Sequence, residues 1–86
     1  MEYILAVFRT RSETLYFANL LKNNGVFASV VNTPRGIGQT CSISVKFLPR
    51  DYDKATVLFS SRRFQGFAGF YSVTIRNGML SDFNKI

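Results

Sequence analysis

Residues 3–8 read Tyr-Ile-Leu-Ala-Val-Phe, and both alternating faces of this segment are apolar. A strand of that kind is stable only at the centre of a sheet covered on both sides. The chain must therefore supply two covers for one strand, or supply one and borrow the other. With 86 residues it has material for a single domain and a single sheet. Nine phenylalanines and four tyrosines within a 47% hydrophobic composition make a dense core affordable at this size.

Punctuation along the rest of the chain gives the element order. Thr10-Arg11-Ser12-Glu13 matches a capping box, in which the Thr10 hydroxyl takes the Glu13 amide and the Glu13 carboxylate returns to the Thr10 amide. The helix that follows runs to about Asn24, with Phe17, Ala18 and Leu21 on its apolar stripe and Gly25 as its left-handed stop. Residues 26–32 are rich in β-branched side chains and read as a second strand. Ile43 to Phe47 alternate strictly, as a strand with one wet face does. Pro49 ends it, and a second helix is expected from about Asp51 to Arg63. Phe70 to Ile75 reads as the last strand, and Asn77-Gly78 as a turn before a tail.

The order βαββαβ predicts an α+β fold: a ferredoxin-like split βαβ sandwich, with a four-stranded antiparallel sheet and two helices on one face. Residues 1–76 would form the domain and residues 77–86 a C-terminal tail. The helices would cover one sheet face, yet the first strand is apolar on both, with Tyr3, Leu5 and Val7 on one side and Ile4, Ala6 and Phe8 on the other, so something else must cover the second. A homodimer through that open sheet face, or the tail packed across it, would meet the need.

Composition narrows the chemistry. Histidine is absent, which removes the usual general base and the commonest transition-metal ligand. Five scattered carboxylates and one thiol have no metal-ligand spacing, so neither a metal nor another cofactor is expected. Asp51 and Asp53 are two apart on a helix and serve as N-terminal charge rather than as a catalytic pair. The single cysteine, Cys41, makes no internal disulfide, and a lone thiol without a readable secretory signal fits a reducing cytoplasm. No apolar run is long enough to span a membrane.

Net charge is +6, yet only Arg62 and Arg63 are adjacent, so no nucleic-acid-binding arm is present. The segment Gln65 to Val73 looks like the aromatic RNP1 signature of RNA recognition motifs. It precedes the fourth strand rather than lying on the third, so core packing is the better reading and nucleic acid is not an expected partner.

Two places carry anion or sulfur chemistry. The first is Pro34-Arg35-Gly36-Ile37-Gly38-Gln39-Thr40-Cys41. Its glycines let backbone amides turn toward an anion, and Arg35, if folded back, would lower the pKa of the Cys41 thiol. The bland alternative is a hairpin connection ending in an inert cysteine. The second is Arg9-Thr10-Arg11-Ser12, where helix amides and the two arginines Arg9 and Arg11 offer a place for an anion. Its bland alternative is a capped helix with two solvated arginines.

Tyr3-Ile4-Leu5 before a capped helix, Leu20-Leu21-Lys22 with Gly25, Thr33-Pro34-Arg35 and Thr40-Cys41-Ser42 together resemble a family of small bacterial domains, the selenium/sulfur carrier protein-like family. The resemblance covers roughly residues 3–73. It implies that Cys41 is a carrier thiol, that Pro34 and Arg35 match the family's Pro-Arg, and that the partner is a sulfur or selenium donor or acceptor protein. This chain departs from the family pattern with Gly38-Gln39-Thr40 in place of a Ser-rich stretch and Ser42 in place of glycine. The implied function is a carrier or accessory protein with Arg35, Gly36, Gly38 and Thr40 supporting the thiol, not an enzyme in its own right. The alternative from another class is a regulatory or protein-interaction module that binds a metabolite or partner, with a structural cysteine.

Overall fold

In the computed structural model, which describes residues 1–37 and 42–86, β1 (Glu2–Phe8) lies at the centre of one antiparallel sheet. The sheet order is β2-β3-β1-β4-β5, with β2 at Ala28–Asn32, β3 at Ile43–Phe47, β4 at Phe67–Arg76 and β5 at Met79–Lys85. Helices α1 (Arg11–Asn23) and α2 (Tyr52–Ser60) complete the fold. The expectation of four strands is corrected: the segment read as a tail adds a fifth strand beside β4. Asn77 and Gly78 both have positive φ, 52° and 75°, and join Arg76 to Met79 in a two-residue hairpin. Met79 to Lys85 contains Asp, Asn and Lys, which are poor strand formers, so propensity hides a strand that the hairpin turn imposes.

The pleat divides β1 as its sequence demands. Ile4, Ala6 and Phe8 join Phe17, Ala18 and Leu21 of α1, Ala55 of α2, and Val45, Phe47 and Phe70 of the neighbouring strands. Seven of the nine phenylalanines lie in or against this layer: Phe8, Phe17, Phe47, Phe59, Phe64, Phe67 and Phe70. Phe8 touches Phe17, Phe64 and Phe67 at centroid separations of 5.5, 5.2 and 5.4 Å, all tilted. Tilted and edge-on pairs of this kind contribute about 0.5–1.5 kcal/mol each beyond area burial. Phe67 and Phe70 of the RNP1-like segment are thus core residues.

Helix boundaries follow local hydrogen bonding. The Thr10 hydroxyl accepts from the Glu13 amide at 3.3 Å, as the capping box requires. At the other end Gly25 (φ 82°) donates to the Lys22 carbonyl at 3.2 Å and Val26 to the Leu21 carbonyl at 3.0 Å. This is the Schellman pattern, and Leu21 and Val26 lie in one core cluster as its hydrophobic contact. The second helix is shorter than expected. Pro49–Asp51 form a 3-10 turn, α2 starts at Tyr52, and Ser61 ends it with its hydroxyl on the Leu58 carbonyl at 2.6 Å. Arg62 and Arg63 therefore lie beyond the helix rather than in its last turn.

The second face of β1 is covered from within the chain. Leu5 and Val7 are fully buried with Val73 of β4 and with Ile37, which is 2% exposed. Tyr3, Val31, Tyr71, Ile75 and Phe83 of β5 surround them. Phe8→Ala removes the ring that links β1, α1 and β4. A loss of about 3–5 kcal/mol is expected, measured as the shift in chemical denaturation of the purified protein.

Candidate functional site

The loop that carries the thiol begins and ends on a fixed base. The Thr33 amide donates to the Ser42 carbonyl at 2.8 Å, and the Thr33 and Ser44 hydroxyls are hydrogen-bonded to each other. Ser44 is fully buried, so this hydroxyl pair satisfies a polar group beneath the loop. Thr33 and Ser42 thus form the paired base of the connection from β2 to β3. Its first half leaves the hairpin and crosses the second face of the sheet.

Pro34 to Ile37 form a turn in which the Ile37 amide donates to the Pro34 carbonyl at 3.4 Å. Gly36 at its third position has φ 95°, the conformation a type II turn requires there and that only glycine adopts cheaply. A Cβ at Gly36 would also lie 3.2 Å from the Phe83 ring of β5. The turn holds Ile37 inward against Leu5, Val7 and Val73 and leaves Arg35 exposed. Of the expected site residues in this loop, Arg35 and Gly36 are placed in that way. Gly38, Thr40 and Cys41 lie outside the described residues.

The sequence undervalued Ile37, which anchors the sheet's second layer rather than contributing only its backbone. A signal was available. Among residues 34–41 it is the one bulky aliphatic side chain, set between two glycines. Lys46 is a second feature that periodicity marked only as wet: its Nζ lies 4.6 Å from the centroid of the Tyr3 ring. Burial pushes the Tyr3 phenol above its ordinary value.

The second expected anion site, Arg9 to Ser12, opens on a shallow groove lined by Arg9, Thr10, Ser12, Glu13, Arg63, Gln65 and Gly66. The Glu13 carboxylate, expected at the Thr10 amide, accepts instead from the Thr10 hydroxyl at 3.0 Å and from the Gly66 amide at 3.0 and 3.3 Å. It ties the helix start to the loop before β4. A carboxylate thus already occupies the positive end of α1, where it is stabilised as a bound anion would be. Arg9 and Arg11 are exposed at the rim. Arg62 turns away, its Nε donating to the Tyr16 hydroxyl at 2.9 Å and its Nη1 to the Ser61 carbonyl at 3.0 Å. β1 and β3 run antiparallel with Ala6 opposite Val45, so Arg9 after β1 and the loop before β3 lie toward the same end of the sheet.

The family model described as Putative Se/S carrier protein-like matches residues 3–71. The chain belongs to that family. The match begins in β1, includes the whole Pro34–Cys41 loop and stops within β4, so β5 and its Phe83 lie beyond it. No curated protein and no solved structure matches the chain. Among the described residues no group of His, Cys, Asp or Glu side chains is arranged to hold a metal ion, and no helix is long and apolar enough to cross a membrane.

Two substitutions separate the anchors from their surroundings. Ile37→Ala should cost about 2 kcal/mol or more through the cavity left over Leu5 and Val7, read by thermal unfolding. Glu13→Ala should cost about 1–2 kcal/mol by leaving the half-buried Gly66 amide without its acceptor. Glu13→Gln, which keeps one acceptor oxygen, should recover most of that loss.

Proposed function

We propose that this protein carries sulfur or selenium, or assists a protein that does, with the Cys41 thiol as the acceptor group. The observation that carries the reading is the family assignment over residues 3–71, a span that contains the complete Pro34–Cys41 loop. The geometry before the cysteine is compatible with it. Thr33 and Ile37 fix the base and the first leg of the loop, and the Arg35 guanidinium is exposed on that leg. A guanidinium near a thiol favours the thiolate, the form that attacks sulfur. The strand order β2-β3-β1-β4 supports reading the first four strands as the split βαβ, ferredoxin-like arrangement, with β5 appended. A single thiol and no second cysteine to pair with it support a reducing, cytoplasmic setting.

The transfer needs no acid–base residue of the histidine kind. The Cys41 thiolate attacks the outer sulfur of a persulfide on a donor protein. A new S–S bond forms to Cys41, the donor's S–S bond breaks, and the donor leaves as a thiolate. The sulfane sulfur keeps its oxidation level, so no external oxidant or reductant enters. Delivery to an acceptor repeats the exchange in the other direction. Arg35 stabilises the charge on the terminal sulfur, and amides of Gly36, Gly38 and Thr40 supply donors to it.

Incubation with a persulfide donor followed by mass spectrometry of the intact protein should show the gain of one sulfur atom, lost on reduction and absent in Cys41→Ser. Alkylation rate against pH should give an apparent thiol pKa below the reference of about 8.5, and Arg35→Ala should raise it. A chain that stays unmodified while a known carrier is loaded in parallel, and whose thiol titrates at or above the reference, would return Cys41 to a structural role in an interaction module.

A further inference from the structure

The two edges of the sheet are built differently. β5 carries Asp82 and Lys85, and its pairing with β4 is broken by a bulge between Thr74 and Ile75. Charge and a bulge are the usual protections of an edge against pairing with another chain. β2, the opposite edge, has neither. Its pairing with β3 runs without a shift from Ala28↔Phe47 to Asn32↔Ile43. Asn23 to Pro34, twelve residues, carry no charge in a chain whose net charge is +6. Among the described residues nothing pairs with the outer side of β2. Phe27, just before it, is 80% exposed, and Val30 at its middle is 37% exposed.

We infer that β2 is a self-association edge and that its occupant is the β2 strand of a second copy of this chain, paired antiparallel about a twofold axis. Two copies with this charge repel over most of their surfaces, and the uncharged edge is where they approach at least electrostatic cost. A twofold normal to the sheet keeps like faces together, so symmetric pairing joins residues of equal parity. Only the register centred on Val30 uses all five residues of the strand. Val30 then meets its own copy, Ala28 faces Asn32 and Ser29 faces Val31.

The faces agree with that register. Ala28 lies in the helix-side core and Val30 is opposite Val45 of that same layer, so the two Val30 side chains meet at its open rim. Val31 belongs to the second face, and Phe27 shares its parity. The pairing brings Phe27 of the second copy opposite Thr33, the residue that closes the base of the Pro34–Cys41 loop. The exposed ring thus acquires a place to bury, and each copy lends one side chain to the foot of the other's loop. The two five-stranded sheets become one continuous sheet with both protected β5 edges outermost.

The inference is independent of the chemistry assigned to Cys41 and is tested by mass in solution. Sedimentation velocity or light scattering of the full chain should give a dimer. Val30→Lys, which sets two ammonium groups face to face on the axis, should weaken it at least tenfold with an unchanged far-ultraviolet spectrum. Ser81→Lys on β5 should leave it intact. Val30→Lys mixed with Val30→Glu should restore the dimer, as neither does alone. Should Val30→Lys fail to fold, hydrogen exchange of the outward-facing wild-type Val30 and Asn32 amides replaces it, with slower exchange expected as protein concentration rises. A monomeric wild type would leave this edge for some other protein's strand and overturn the proposal. So would a dimer that Val30→Lys leaves unchanged, a dimer lost in Ser81→Lys instead, or β2 exchange independent of concentration.

Discussion

A strand buried on both faces sets the terms for everything else in this protein. Leu5, Ala6, Val7 and Phe8 are all fully buried in a chain of 86 residues. Each large apolar side chain removed from water contributes about 1.5–3 kcal/mol, so the central strand stabilises the fold only while both of its covers stay in place. The helix layer supplies one, with seven phenylalanines that include Phe8 and Phe17. The other has no helix. It is assembled from the Pro34–Ile37 turn, Val73 of β4 and the ring of Phe83 on β5. A small domain has spent its loop and its C-terminal strand on what larger proteins do with a third layer.

That economy couples stability to the proposed chemistry. Ile37 is held inward by a turn that only a positive φ at Gly36 allows, and the same turn leaves Arg35 facing out. The loop residue that seals the core and the loop residue that would steady a charged sulfur are therefore two positions apart on one rigid leg. Between Ile37 and the hydrogen-bonded Ser42 only four residues remain, Gly38 to Cys41.

Much of this was legible in the sequence. The two faces of β1 and the helix that starts at Thr10 and stops at Gly25 each follow from one period or one cap, and the structure repeats them. The strand at Ile43 to Phe47 is there too, but its expected wet face is not, since Ser44 is fully buried. The family resemblance, carried by Thr33-Pro34-Arg35 and Thr40-Cys41-Ser42, is matched by the family model. What escaped were long-range pairings that leave no periodic trace. β5 is polar and β-poor, and it exists because a two-residue Asn77-Gly78 turn returns the chain to β4, which offers it hydrogen bonds. The Glu13 amide meets the capping expectation at the Thr10 hydroxyl, while the Glu13 carboxylate serves an amide 53 residues away. The capping motif fixes the first role and is silent on the second. Ile37 resembled a loop residue because its burial depends on where the turn lands, not on its neighbours in sequence.

The unequal edges follow from the same constraint. Closing the second face with the C-terminal hairpin places β5 outside β4, and its charges and bulge then guard that side of the sheet. β2 has no such role to discharge. Its outward position is fixed by the β2-β3 hairpin that carries the loop, and a charge within it would sit close to the foot of that loop. An uncharged strand there leaves Arg35 the first charged residue after Lys22, which suits the charged sulfur proposed for the loop. Neutrality near the loop and the pairing proposed at the edge then draw on the same residues. A copy paired along β2 would shelter the exposed edge and set Phe27 beside Thr33 without adding any charge next to the loop.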